Sequence, residues 1–440
     1  MSFLIPIALF GWPLASVLFF SFTSPRNAVL ISILGAWLFL PMASYSFPGI
    51  PDYSKMTAAS FGAILGTAIY VPTKFVKMQL SLLDIPMAVF CISPLFSSLS
   101  NGLGTYDGLS GCLGQFTTWG LPYLIGRIHF DSLESVAVLT KWLFYAGLVY
   151  LPFCLIEVRM SPQLHSWVYG YFQHSFAQTR RLGGWRPVVF MQHGLMVGMW
   201  MCMTSLIGIG LWKKRLPNSL FGQPIIYFIV GLLITAILCK SSGAILLLAL
   251  GWIVLVGMKS IPSWFWLIGL SSIAPMYMTS RISGWSGDGL VNVLSYVSQR
   301  QGSLEFRLKN ENLLIEKAIK SPVFGLGGWG RNRVKNDQGK DISVTDGLWT
   351  IVLGTKGLVG LVSISLVFIL PVWLYVFYQP SSQWLNYNYI SPTLLAVVCS
   401  LYWIDSLPNA MINPIFTICI AALVGVCRLR EPGQLRVQLT

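Results

Sequence analysis

Charge is what this sequence has least of. Only 10% of its 440 residues are Asp, Glu, Lys or Arg, against roughly 25% in an ordinary soluble domain. So few charges cannot cover the surface of a soluble protein of this size. Lipid must be the solvent for most of the chain. The sequence also has no HExxH, no DxD pair, no P-loop and no CxxC pair. A metal-assisted nucleotide-sugar mechanism therefore has no ligands to use, and energy coupling has no motif. No metal site and no cofactor are expected. The eight cysteines, at 91, 112, 154, 202, 239, 399, 419 and 427, all lie in or at the ends of apolar runs, where they read as small packing residues. No RNA- or DNA-binding motif accompanies the net charge of +14, so nucleic acid is not an expected partner.

What the sequence does have is hydrophobic length. Hydrophobic residues make up 55% of the chain, and apolar runs of spanning size occupy 3–21, 28–43, 57–71, 82–98, 109–126, 136–156, 187–212, 223–239, 243–258, 262–280, 357–377, 390–406 and 410–427. They predict an all-α polytopic membrane protein with about 12–14 transmembrane helices. No internal repeat is evident. The first run lacks a basic n-region and a clear cleavage site, so it reads as a retained helix. The short loops set the orientation. Lys213, Lys214 and Arg215 form the densest basic cluster, and counting outward puts Arg26, Lys74, Lys77, Lys259, Arg428, Arg430 and Arg436 on the same, cytoplasmic side.

That count leaves two longer segments facing outward. Segment 157–186 carries four Arg against one Glu, and segment 281–345 carries ten Lys and Arg against six Asp and Glu. Two basic external loops on one protein suggest a bound anion at the outer face. The chain thus divides into N-terminal helices (1–280), a large external loop (281–345), and C-terminal helices with a basic tail (346–440). Within the large loop, 303–320 reads as a helix. Ser303 is its cap, Leu304, Leu308, Ile315 and Ile319 share a face, Arg307 and Glu311 form an i,i+4 pair, and Pro322 stops it. The following GLGGWG (325–330) reads as a flexible turn, because it follows a helix and a proline rather than a strand.

Several polar residues stand where such a loop meets the membrane. In GWRPVVFMQHG, Pro187 suits a first helical turn, which places Arg186 at a helix N-terminus able to hold phosphate. Gln192 and His193 would then lie about two turns deeper. The plain alternatives are an interfacial anchor for Arg186 and a helix–helix hydrogen bond for His193. Asp346 begins the re-entering SVTDGLW stretch and is either a functional group or a helix cap. Trp185, Trp285 and Trp329 could stack on sugar rings or anchor the interface.

These residues together resemble the O-antigen ligase and Wzy-type polymerase superfamily of bacterial envelope polysaccharide synthesis. The resemblance rests on Ser303 and Arg307, then Ala318, Pro322, Gly325 and Gly327, a polar turn, and Gly357 with Gly360 in GxxG spacing. LPYLIGR (121–127) and GWRPVVFMQHG resemble further family segments. It covers roughly 110–360. Where family members usually carry His, often followed by Asn, eleven residues before the first Gly of the GxxG, this chain has Asp346 followed by Gly347. The resemblance implies a GT-C-like arrangement of helices with a large, partly helical periplasmic loop. It also implies a multi-pass glycosyltransferase in the bacterial cytoplasmic (inner) membrane, with its site facing the periplasm. The donor would be a glycan on undecaprenyl diphosphate and the acceptor another glycan or a lipid. Membrane lipids and other polysaccharide assembly proteins would be further partners. Arg186 and Arg307, supported by Arg181, would bind the diphosphate, and Asp346 would be the base. Arg127 matches a further family position, though the loop count puts it inside. His193, Gln192 and Asp405 are further candidates. The rival readings are a transporter or flippase for a lipid-linked glycan, and a non-catalytic assembly subunit. The first would more often show charged residues mid-helix and two pseudo-symmetric halves, and neither is evident in the sequence.

Overall fold

In the computed structural model, which describes residues 2–47, 49–259, 263–287, 289, 301–328 and 330–428, helix accounts for 70% of the chain. The helices are α1 (Leu4–Phe22), α2 (Pro25–Phe39), α3 (Lys55–Tyr70), α4 (Thr73–Lys77), α5 (Ile85–Ser100), α6 (Gly104–Gln115), α7 (Leu121–His129), α8 (Leu133–Met160), α9 (Leu164–Tyr169), α10 (Gly194–Leu211), α11 (Ile225–Leu238), α12 (Ser242–Gly257), α13 (Ser263–Ile282), α14 (Gln301–Ala318), α15 (Leu348–Tyr378), α16 (Ile390–Asp405) and α17 (Pro414–Arg428). Among the described residues, strand is confined to short hairpins such as Ser44–Phe47 with Ile50–Ser54 and Arg180–Arg181 with Gly184–Trp185. Five stretches, Leu4–Phe22, Leu82–Ser100, α8, α10 and α15, are long and apolar enough to cross a membrane, and shorter apolar helices accompany them. This is a multi-pass membrane protein. Each apolar run of the sequence overlaps a helix, because in hydrocarbon a segment must satisfy its own backbone groups.

Burial separates the helices by role. The apolar stretch of α10 is 83% buried, whereas that of α1 is only 22% buried and turns Leu14 and Leu18 outward, as a lipid-facing helix does. Seven of the eight cysteines are buried and none forms a disulfide, so packing is their role.

The chain turns at two ends of the bundle. At one, Lys55 donates to Phe190 O, Tyr169 to Phe39 O and Arg186 to Lys240 O. Leu348 N donates to Ser406 O there, and Asn101 to Gly325 O. The other end is tied by Arg26 with Glu134, Arg127 with Asp84, and Arg215 with Tyr387 O. The basic short loops at 26, 74–77, 213–215 and 259 all gather at this second end, as the loop count expects. Arg430 and Arg436 lie outside the described residues.

Three elements differ from the sequence reading. The run 109–126 is two helices joined through a π-helical turn, Phe116–Gly120. The helix expected from Pro187 begins only at Gly194. The helix of run 357–377 starts at Leu348 and is broken inside by Gly357, at φ 63° and ψ −162°. Lys356 precedes that break and so lies within the helix, against the expectation that no charged residue stands mid-helix.

Candidate functional site

The large loop is positioned by one buried arginine. Arg281, at the end of α13, is fully buried and uses its whole donor fork. Nε donates to Glu311 at 3.0 Å, Nη1 to Trp285 O and Ser286 O, and Nη2 to Leu308 O and Asn312 Oδ1. Tyr277 also donates to Glu311, at 2.7 Å. Burial pushes the Glu311 carboxyl up, while its hydrogen bonds from Tyr277 and the charge of Arg281 pull it down. The expected Arg307–Glu311 pair is therefore not formed. Glu311 faces inward to Arg281, because a buried guanidinium must have all its donors met. Leu308, Leu314, Ile315 and Ala318 form the buried face of α14, but Ile319 lies past its end and is half exposed. The helix starts at Gln301, and the side chains of Ser303 and Leu304 lie outside the described residues.

The far end of the loop is held by glycines. Leu326 N and Gly327 N donate to Gly354 O and Thr355 O, and Leu358 N and Val359 N donate to Pro322 O and Val323 O. A Cβ on Gly325 would strike the backbone of 355–357, and one on Gly357 would strike Val323 and Gly325. The motif residues Pro322, Gly325, Gly327 and Gly357 thus come together as a backbone-on-backbone crossing that only glycine allows. Gly325, Gly327, Gly328 and Gly330 all have positive φ. Trp329 lies outside the described residues. Trp285 packs edge-on against Tyr277, and Trp185 packs at a tilt against Phe176.

Between these anchors Arg307 meets Asp346. Arg307 Nε stands 3.8 Å from Asp346 Oδ2, with their side chains 34% and 43% exposed. A second guanidinium nitrogen reaches Pro408 O at 3.3 Å. Asn310, Glu311, Val344 and Thr350 complete a shallow, open pocket. Behind it lies Asp405, 7% exposed, which accepts from Asn409 at 2.9 Å and feels the charge of Arg307. Asp346 is not a cap: the N-cap of α15 is Gly347, which makes no side-chain cap bond, and Leu348 N is taken by Ser406 O at 3.0 Å. A Cβ on Gly347 would strike Leu407 O. An Asn at that position, as in the family pattern, would not fit here.

The second cluster surrounds Arg186. Residues 187–193 are not helical, because their backbone groups are satisfied from outside. Glu157 accepts from Val188 N and Val189 N at 2.8 and 2.7 Å, Tyr150 accepts from Phe190 N, and Gln173 donates to Val189 O and Met191 O. This network holds Val189 at φ 52°, an uncommon state for a β-branched residue. His193 is consequently the N-cap of α10 and not a residue two turns inside it, and Gln192 is exposed. Arg186 is 7% exposed. Its stem crosses Gly194, where a Cβ would meet it, and its guanidinium donates to Lys240 O at 2.9 Å. Arg186, His193, His174, Gln178 and Thr179 line a small pocket open to solvent. Arg181 is exposed on the hairpin beside it and its charge reaches His193. Burial pushes the His193 pKa down to about 4, helped by His174, Arg186 and Arg181.

Both clusters lie at the first end of the bundle. α10 begins at Gly194 and runs antiparallel to α16, Gly210 facing Leu394 at the far end while Asp405 acts on Cys202 nearer the first. Arg127 belongs to neither cluster. It holds Asp84 by two bonds of 2.7 and 3.1 Å at the other end. His174, Glu157 and Asn409 escape sequence reading, since nothing in their neighbours marks them. Among the described residues no group of three His, Cys, Asp or Glu could hold a metal ion. No protein-family model matches this chain, and no curated protein matches it.

Proposed function

We propose that the chain is a membrane glycosyltransferase. It would polymerise or ligate undecaprenyl-diphosphate-linked glycan units at the outer face of the bacterial cytoplasmic membrane, like the superfamily it resembles. One observation carries the reading: Arg307 and Asp346 face each other loosely at the mouth of an open pocket, beside an Arg281–Glu311 pair that is buried and closed. At 3.8 Å and one-third exposure, the pair is neither bidentate nor desolvated, so Arg307 can exchange Asp346 for a diphosphate oxygen. That exchange frees the Asp346 carboxylate to accept a hydrogen bond from the acceptor hydroxyl. Asp346 then takes the proton of the acceptor hydroxyl while that oxygen bonds to the anomeric carbon. The bond from that carbon to the diphosphate oxygen breaks, and its electron pair stays on the diphosphate, neutralised by arginine. Arg186 and Arg181 supply further positive charge at the same end. The gathering of basic short loops at the opposite end supports placing this end outside.

The test uses purified protein in detergent with a lipid-linked donor, and reads glycan chain length on a gel. Asp346→Asn is expected to slow transfer by ~10²-fold or more. Arg307→Ala should abolish transfer, and Arg307→Lys, lacking the fork, should stay poor. Normal chains from the Ala and Asn variants would refute the site. Sidedness is tested by labelling Lys335→Cys on intact cells with an impermeant maleimide. Labelling only after lysis would reverse the orientation. A second reading, a transporter for the same lipid-linked glycan, draws on Lys356 at the break in α15. A transporter makes no new glycosidic bond in detergent, so the same gel separates the two.

A further inference from the structure

The proposed function gives His193 no role, yet its geometry is specific. His193 Nδ1 accepts the backbone N–H of Leu195 at 3.0 Å. An amide N–H can only donate, so the neutral ring must carry its proton on Nε2. Nε2 lies 3.1 Å from Gln178 Oε1, inside the pocket that Arg186 lines. Protonating the ring would put a hydrogen on Nδ1, against Leu195 N–H, and would break the cap of α10. His174, whose ring centre is 4.7 Å away, is held alike: its Nδ1 accepts from Ser175 N at 2.6 Å. The other charges that face His193 are Arg186 and Arg181, and both are cations that oppose a third. The low pKa of His193 agrees with this arrangement.

We infer that the Arg186 pocket is a diphosphate-diester site in which His193 is a neutral Nε2–H donor to a phosphate oxygen, and neither a base nor a cation. The ligand oxygen would take the place of Gln178 Oε1, beside the guanidinium of Arg186. The ligand class follows from the donor set. A fixed N–H and an arginine suit an anion whose charge does not change near neutral pH, as in a donor still esterified at both ends. An imidazolium pair would instead suit the terminal phosphate of a released product. This inference rests on the diphosphate reading above and assigns His193 a place in it.

The experiment measures binding of a non-reactive dialkyl diphosphate diester to the full chain in detergent. The probe keeps two negative charges across the range tested. Between pH 6 and 8 its affinity is expected to change by less than about twofold. An imidazolium site would lose roughly tenfold per pH unit above its pKa, and such a loss would overturn the inference. Substitution separates the donor from the cap. Asn caps helices well but is too short to reach the anion, so His193→Asn should leave the melting temperature unchanged and weaken binding by about tenfold. His193→Gln caps poorly but can still donate, and should recover part of the affinity at a lower melting temperature. Wild-type affinity in His193→Asn would make His193 only a cap, and absence of diester binding in the wild type would also sink the proposal. The transfer reading fails on different data, the chain lengths of the Arg307 and Asp346 variants. Binding as expected with normal chains in those variants would leave this site standing and remove the enzyme mechanism.

Discussion

Two arginine–aspartate pairs in this chain use the same chemistry to opposite ends. Arg127 holds Asp84 through two nitrogens, with side chains 3% and 11% exposed, and the pair is extended by Tyr123 OH at 2.8 Å and Gln79 O at 3.0 Å. Arg307 approaches Asp346 with one nitrogen at 3.8 Å, and each partner is at least one-third exposed. The first pair cannot release either partner without leaving a buried charge uncompensated. The second gains little from closing and loses little by opening. A ligand can compete only for the second. Residue type therefore does not separate a structural clamp from a binding group; coordination and burial do.

Removing each arginine breaks the comparison most directly. Arg127→Ala strands Asp84 in the bundle and is expected to cost about 3–5 kcal/mol, read as poor recovery and a lowered melting temperature in detergent. Arg307→Ala should cost no more than ~1 kcal/mol while removing transfer. If Arg127→Ala melts like the wild type, or Arg307→Ala fails to fold, the contrast between clamp and binding group is wrong.

This contrast also marks the limit of what the sequence could say. Apolar runs located the five described helices that are long and apolar enough to span, because hydrocarbon forces a segment to satisfy its own backbone. Basic short loops located one end of the bundle. The glycines spaced through 325–357 read as part of a family pattern, and in the fold they make a backbone crossing at the Gly357 break, with Gly325 and Gly357 too close for any Cβ. Long-range pairing was not legible. Arg307 looked like a partner for Glu311 at i,i+4, and only the fold brings Arg281 from thirty residues away to take that carboxylate. The same holds for 187–193, where Pro187 reads as a helix start. The segment stays irregular because Glu157, Tyr150 and Gln173 meet its backbone from other elements.

The smallest effect sharpens the comparison furthest. From sequence, Asp346 before an apolar run could be a helix cap, and losing a cap costs about 1 kcal/mol. The fold removes that duty. Gly347 occupies the N-cap position without a side-chain bond, and the first helical amide, Leu348 N, is already satisfied by Ser406 O. Asp346 contributes only its loose approach to Arg307. Asp346→Ala should therefore shift stability by no more than ~0.5 kcal/mol, within error of no change in melting temperature. Asp84→Ala should lower it clearly, because Arg127 would lose two bonds inside the bundle. A drop in Asp346→Ala that Asp346→Asn restores would return the residue to the role of a cap. Equal melting of both variants, with transfer lost in both, leaves the carboxylate with a chemical role and no structural one.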